Sequence, residues 1–243
     1  MMLTGLLRVR NDERYVGRAI ESFLPVCDQI VVLNDRSSDN TAKICAMIPR
    51  TTVLDSTYTD LNESRDKTLL LDAAMMLHPS TSHCLLFDSD ELLVQSDIPL
   101  LRKLLSNPGS AFAFRILYAW NREDQIRVDG VYRNFSRGSL FRPQPGDNFQ
   151  ATTHGGNFHC GSVPERLVNR TISSEVRILH LGYLLAEDRI RKWKWYQSID
   201  PNNTVEDNYK HMVIGDEEFG GLPATAITRW AGPLVLHSLD DLV

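Results

Sequence analysis

Short apolar runs alternate with amphipathic stretches along the N-terminal part of the chain. Leu3 to Val9, Gln29 to Leu33, Thr51 to Asp55 and Cys84 to Phe87 have strand length and composition. Between them, Arg14 to Leu24 carries Val16, Ala19, Ile20 and Phe23 at helical spacing. Thr41 to Met47 reads as a short helix. Asn62 to Leu77 reads as a longer one, with a stripe of Leu69, Leu70, Ala73, Met76 and Leu77 and with Pro79 beyond its end. Asn11 or Asp12 is placed to cap the first helix and Asp39 the second. Strands alternating with helices predict a parallel sheet with right-handed crossovers.

Further along, Ile98 to Leu105 is a short amphipathic helix. N-P-G at Asn107 to Gly109 turns the chain into a strand over Ala111 to Trp120. Asn121 to Pro164 is richer in Gly, Pro, Arg and aromatic residues and reads as hairpins and loops over the ligand edge of the sheet. Within it Leu140 to Pro143 is a strand and the stretch from Gly146 to His159 a loop. Glu175 to Leu181 is a further strand, Ala186 to Gln197 a basic helix, and Pro233 to His237 an edge strand. One domain is expected over 1–243, in three stretches, 1–106, 107–200 and an extension over 201–243.

Composition narrows the class. A hydrophobic fraction of 42% and a charged fraction of 23% over 243 residues are those of a globular protein with one sizeable core. The net charge of -5 offers no basic face to a nucleic-acid backbone, Arg189 to Lys194 being a local exception. No apolar run approaches the roughly 20 residues of a membrane span, and Met1 to Arg10 is too soon interrupted for a signal peptide, so a cytoplasmic protein is expected. Cys27, Cys45, Cys84 and Cys160 show no C-x-x-C spacing and read as reduced thiols.

The chemistry gathers where the fourth apolar run ends, in C-L-L-F-D-S-D-E-L-L from Cys84 to Leu93. Open α/β sheets place ligands at the carboxyl ends of their strands. Asp88 and Asp90, two apart, share one face of an extended segment and can reach one hard cation; alternatively, these acids only solvate a strand end. Asp35, at the tip of the second run, can accept from ribose hydroxyls or a base N–H, or serve as a turn residue. Arg65, near a helix start, opposes the macrodipole and so calls for a ligand or an acidic partner, unless it is simply a surface arginine. The first strand–helix junction, R-V-R-N-D-E-R, lacks the glycines a dinucleotide requires, which argues against a NAD enzyme.

In this order the segments resemble the family 2 glycosyltransferases. R-V-R-N-D-E-R-Y-V is similar to the family's N-E-x-x-x-L turn, and D-Q-I-V-V-L-N-D-R-S-S-D-N-T to its D-E-I-V-V-x-D-x-G-S-x-D-G-T, with Arg36 in place of a small residue. L-N-E-S-R-D resembles the motif ending A-R-N, L-L-F-D-S-D-E the metal-binding D-x-D, and H-L-G-Y at His180 to Tyr183 a downstream histidine motif. The resemblance covers about Leu3 to Gln197. It implies an α/β chain of GT-A (nucleotide-diphospho-sugar transferase) fold, with a mainly parallel central sheet, helices on both faces and a C-terminal loop-rich acceptor region.

By this resemblance the chain is a metal-dependent, inverting glycosyltransferase that takes a nucleotide-sugar donor, a UDP-sugar first, and a glycan or other hydroxyl acceptor. Asp35 and Arg65 would contact the nucleoside, with Asp12 close by. Asp88 and Asp90 would sit at the diphosphate and its metal, with His180 as third ligand. An imidazole ligand tilts the metal from Mg2+ to Mn2+. Lys192 or Arg189 would neutralise the departing diphosphate. G-S-V-P-E-R-L has Pro164 where relatives carry the histidine of a His-Glu pair, which makes Glu165 the first candidate for the base; His154, His159 and Asp147 are alternatives, and H-G-G-N-F-H could instead be an acceptor lid. Three other classes share parts of this pattern. A haloacid-dehalogenase-type phosphatase carries its D-x-D on the first strand, with Thr or Val four residues after the first Asp, where Leu92 stands here. A sugar nucleotidyltransferase would open on a Gly-rich loop. A non-catalytic nucleotide- or carbohydrate-binding module would form no product.

Overall fold

Four apolar runs become parallel neighbours. In the computed structural model, which describes residues 1–150, 160–202 and 209–242, β1 (Met2–Val9), β2 (Gln29–Asn34), β3 (Thr51–Asp55) and β4 (Thr81–Leu86) stand in the order β4–β1–β2–β3. Leu6 and Leu7 of β1, and Val31 and Val32 of β2, are all buried. Consecutive residues of a strand face opposite sides, so both faces of this sheet are covered, as continuous apolar runs require. Register fixes the geometry that matters later. Val9 pairs with Asn34 and Leu6 with Leu86, so the segments following β1, β2 and β4 leave by one edge.

These strands belong to a first unit, Met1–Arg115 with Ser136–Ile178. Within it β8 (Ser136–Phe141) adds antiparallel to β4, and the first half of β6 (Ala111–Trp120) adds to β8. The fold class is therefore α/β with a mainly parallel central sheet and an antiparallel flank. β5 (Glu91–Leu93) pairs with β9 (Ile172–His180), and α4 (Ile98–Leu105) follows the acid turn.

The helices show where apolar periodicity holds and where it misleads. On α1 (Val16–Phe23) the expected stripe of Val16, Ala19, Ile20 and Phe23 is buried. Ahead of it the Asp12 carbonyl accepts from Tyr15 and Val16 N–H. Asp39 Oδ1 accepts Thr41 N–H at 3.0 Å at the start of α2 (Thr41–Met47). On α3 (Glu63–Leu77) the expected stripe is rotated. Met76 is 80% and Leu77 46% exposed, while the buried face is Asp66, Lys67, Leu70, Leu71 and Ala74. Two charged residues face inward because both have partners there.

A second unit, Ile116–Phe135 with Leu179–Val243, contains the end of β6, β7 (Arg122–Arg127), β10 (Leu236–Ser238) and α5 (Ala186–Ile199). β7 pairs antiparallel with β6 and with β10. The core of this unit is aromatic: Trp120, Tyr132, Ile214 and Ala231, with Tyr118 and Tyr183 packed on them. The strands expected at Leu140 to Pro143 and Pro233 to His237 lie over Ser136–Phe141 and Leu236–Ser238.

Candidate functional site

Phe87 anchors the acid turn from below, stacked 4.1 Å from Phe23. Beyond it the chain folds back on itself: Glu91 N–H donates to the Asp88 carbonyl at 3.1 Å, and Asp88 N–H donates to Glu91 Oε2 at 2.9 Å. Arg137, on β8, forks across the turn, its Nη1 2.6 Å from Asp88 Oδ2 and its Nη2 2.5 Å from Glu91 Oε2. Ser89 Oγ donates to Asp12 Oδ2 at 2.5 Å, which ties the turn after β4 to the turn after β1.

The turn is electrically divided. At Asp88, 44% exposed, crowding pushes the carboxyl up, but Arg137 and then Lys67 outweigh it and hold the group below the usual carboxylate range. Glu91, fully buried, is pushed up to about 7 by burial, with Arg137 opposing and Asp88 adding to the rise. Two atoms here have no hydrogen-bond partner among the described residues, Glu91 Oε1 and Arg137 Nε. Lys67 reaches the same region from α3, its Nζ 3.4 Å from Glu63 Oε2 and 3.4 Å from the Cys160 carbonyl.

For a divalent cation the turn offers hard oxygens, an ionised Asp88 and a buried Asp90, which is the donor chemistry that small dications take. Among the described residues no three His, Cys, Asp or Glu side chains gather into a full ligand set. The pair therefore fits a cation whose remaining positions are filled by ligand oxygens and water.

Next to the turn lies a ladder of alternating charge. Arg36 donates through Nε to Asp35 Oδ1 at 2.9 Å, and Arg8 through Nη2 to Asp35 Oδ2 at 2.6 Å. Arg8 Nε reaches Asp66 Oδ2 at 2.9 Å. Arg65 forks on Asp66 Oδ1 at 2.9 and 2.8 Å and extends to Asp60 at 2.7 Å. Asp35 and Asp66 are buried, and each is held between two guanidinium groups. Arg65 also lies 3.8 Å over the Tyr58 ring. The acidic partner that its position called for is thus Asp66, one residue on. Arg36 holds φ +55°, a left-handed turn that places its guanidinium over Asp35.

In the first unit, then, Asp12, Asp35, Arg65, Asp88 and Asp90 belong to the turns and the helix start along the carboxyl edge of β1, β2 and β4. Sequence reading missed Arg8, Asp66, Lys67, Glu91 and Arg137. Arg8 had a signal, as the one charged residue within the apolar run Leu3 to Val9. Glu165 opens a short 3-10 turn after Pro164. Its carboxylate is exposed beside a hollow of about 580 Å3 lined by Asn148, Arg166, Asn169 and Arg170, and its backbone N–H donates to the Asn148 carbonyl at 2.9 Å. Asp147 is occupied: Arg166 forks on it at 2.5 and 2.8 Å, and Gln144 N–H adds a third bond, so it is a poor candidate for a base. His154 and His159, with the lid expected around them, lie outside the described residues.

The remaining expectations fall in the second unit. His180 ends β9 with its ring 5.1 Å from Tyr118 and 5.0 Å from Tyr183, and its Nδ1 accepts Gly182 N–H at 3.1 Å. Binding of a metal by this imidazole would require that hydrogen bond to give way. Arg189 is buried and forked onto Asp216, so it is committed to the core. Lys192 Nζ stands 5.2 Å from the centre of the Tyr183 ring.

No family model matches the chain. It is 27% identical over 217 residues to an uncharacterized protein of Mycobacterium tuberculosis and, with the same figures, to one of Mycobacterium bovis. Each match takes in 83% of this chain and 51% of the other protein, so the chain spans about half the length of the curated relatives it matches. Among solved structures it is similar to S. aureus TarS, residues 1–349, with a TM-score of 0.49 and 11% identity over 89% of this chain and 71% of that one. It is also similar to glucosyl-3-phosphoglycerate synthase of Mycobacterium tuberculosis, crystallised with Mn2+, UDP-glucose and phosphoglyceric acid, with a TM-score of 0.36 and 20% identity over 48% of this chain and 44% of that one. Neither likeness is close enough to extend to function.

Proposed function

We propose that this chain is a glycosyltransferase of the GT-A, family 2-like type, which moves a sugar from a nucleotide-diphosphate donor to an acceptor hydroxyl with inversion. One observation carries the reading: the turns after three adjacent parallel strands bring Asp12, Asp35 and Asp88 to one sheet edge, and Ser89 bonds Asp12 to the D-x-D turn. That edge is where such sheets take nucleotides. The haloacid-dehalogenase alternative is disfavoured by the same topology, since the acids here follow the fourth strand in chain order.

In this reading Asp88 and Asp90 hold a divalent cation, which supplies countercharge to the departing diphosphate. Arg65 and Asp35 flank the nucleoside. Arg36 is the more exposed of the two arginines on Asp35 and the one a donor would displace. Lys192 is kept as a candidate diphosphate contact, and Glu165 as the base. The acceptor oxygen bonds to the anomeric carbon as the bond from that carbon to the diphosphate breaks, and the hydroxyl proton passes to the Glu165 carboxylate.

The test is thermal shift with UDP, GDP, dTDP and CDP, each with Mn2+ or Mg2+, followed by product analysis with the sugar nucleotide of the base that binds. Asp88→Asn and Asp90→Asn should abolish metal-dependent stabilisation and transfer. Glu165→Gln should keep donor binding and lose turnover. Full activity of either aspartate variant, or of the parent in excess chelator, refutes the metal role, and stabilisation by none of the four nucleotides refutes the reading.

A further inference from the structure

The second unit contains a cavity of about 220 Å3 lined by Tyr118, Val131, Tyr132, Phe135, Tyr183, His211 and Trp230. It is smaller than the roughly 300–1,000 Å3 that drug-sized ligands occupy, and has room for one six-membered ring. Tyr118 and Tyr183 are stacked at 5.6 Å with 14° between their planes, and Tyr132 meets Tyr118 edge-on at 5.0 Å. Polar groups accompany these rings. Tyr132 Oη and His211 Nδ1 are 2.8 Å apart, and the Trp230 indole Nε1–H is buried with no acceptor among the described residues.

An aromatic enclosure of this kind can hold a quaternary ammonium, an apolar ring or the C–H face of a sugar, and its surroundings decide among them. Three of the lining rings already carry a protein cation: Arg127 lies 4.1 Å over Tyr132, Lys192 5.2 Å over Tyr183 and Arg229 4.9 Å over Trp230. A cationic ligand would be a second positive charge on the same quadrupoles, and would be repelled. A purely apolar ring would leave the Trp230 N–H buried and unsatisfied, at the desolvation cost of an unmade hydrogen bond. A pyranose meets both conditions. Its axial C–H groups present an apolar face to aromatic rings, and its hydroxyl oxygens supply the missing acceptor.

The geometry points to a binding site for one neutral monosaccharide ring in this cavity, with Tyr118 and Phe135 as stacking faces and Trp230 Nε1–H as donor to a sugar oxygen. The site rests on the cavity itself; its assignment to the acceptor side of the reaction rests on the transferase reading.

The experiment is saturation-transfer NMR on the full chain with methyl β-D-glucopyranoside, methyl β-D-galactopyranoside and methyl N-acetyl-β-D-glucosaminide, with tetramethylammonium and phenol as competitors. At least one glycoside should receive saturation through its C–H face. Phe135→Ala, at a residue 42% exposed and therefore tolerant of change, should weaken that glycoside ~10-fold, and Trp230→Phe, which keeps a ring and removes the donor, severalfold. Thermal shift by nucleotide diphosphate, read on the same variants, should not change. The site is overturned if no glycoside receives saturation, if both variants bind as the parent does, or if tetramethylammonium or phenol displaces the sugar at lower concentration than the sugar itself binds. Sugar binding that persists in a chain binding no nucleotide would refute the transferase reading and leave the site standing.

Discussion

Arg137 Nη1 stands 2.6 Å from Asp88 Oδ2, so the first acid of the D-x-D turn already has a cation bound to it through a charge-assisted hydrogen bond. The other Nη holds Glu91, which is fully buried. Removing the guanidinium leaves two carboxyls in one small turn, one of them without access to water. Arg137→Met should therefore cost about 2 kcal/mol, less than a wholly buried pair because Arg137 is 21% exposed. The loss should be larger at pH 8 than at pH 5, where Glu91 can take up a proton. Adding Glu91→Gln should recover part of it, so the double variant is less destabilised than the two single losses summed. Urea unfolding of the four proteins at both pH values measures this; strict additivity would refute the coupling.

The same glutamate sets a pH dependence. Its carboxyl is pushed up to about 7 from an ordinary 4.5, so between those values the folded chain binds more protons than the unfolded one, and this group's stabilising contribution falls as pH rises. His83 works in the opposite sense. Burial, and then Arg142, pull its imidazole down from 6.5 to about 4, so its contribution rises with pH over 4 to 6.5. The two slopes oppose each other in the parent protein. Glu91→Gln should unmask the His83 slope, giving a stability that climbs from pH 4.5 to 6.5 by an amount on the order of 2–3 kcal/mol relative to the parent. Denaturation midpoints across that range check the sign.

Local pattern revealed the sheet and not the charges that organise its edge. The strands β1, β2 and β4 and the stripe of α1 followed from apolar spacing because most of the side chains they bury are apolar, Thr4, Asn34, Thr81 and His83 being the buried polar exceptions on the strands. On α3 the covered face includes Asp66 and Lys67, so the apolar count placed the helix in the wrong rotation and left Met76 in solvent. A buried ion pair looks polar in sequence, and only the partner, far away in the chain, turns it inward. Asp66 meets Arg8 from 58 residues upstream, and Arg137 meets Asp88 from 49 residues downstream. No spacing rule reaches so far. Asp88 was legible as an acid at a strand end and Asp12 as a candidate helix cap, but their link through Ser89 was not, because a serine inside D-S-D has no pattern to mark it.

Gly130 links backbone conformation to the second unit's cavity. It holds φ +48°, and a Cβ there would lie 2.2 Å from the Trp230 carbonyl oxygen, which also accepts Val131 N–H at 2.9 Å. Left-handed backbone and a collision with main chain both oppose any side chain. Gly130→Ala should therefore lower stability by about 2–4 kcal/mol. Because Trp230 would have to shift, it should also change the intrinsic tryptophan emission of the folded protein. In contrast Gly146, also at positive φ (+81°) but with open space around it, should lose about 1 kcal/mol on the same substitution, the cost of the backbone conformation alone.

The charge ladder predicts a gradient from its centre outward. Asp66, fully buried, separates the guanidinium groups of Arg8 and Arg65, which are 14% and 21% exposed. Asp66→Ala leaves those two cations facing each other across a dry gap and should cost about 3–5 kcal/mol. Asp66→Asn keeps an acceptor oxygen for one arginine and should cost less. At the outer end Asp60 is 61% exposed, and water can take its place on Arg65. Asp60→Ala should leave the unfolding midpoint where it is. The hydrogen bond from Arg65 holds the Asp60 carboxyl below its ordinary pKa, so whatever Asp60 contributes is present near neutrality and lost in acid. Calorimetric scans of the three variants at neutral pH decide the matter. Equal losses at Asp66 and Asp60 would mean that the ladder acts through shape alone, with no share for the burial of its central charge.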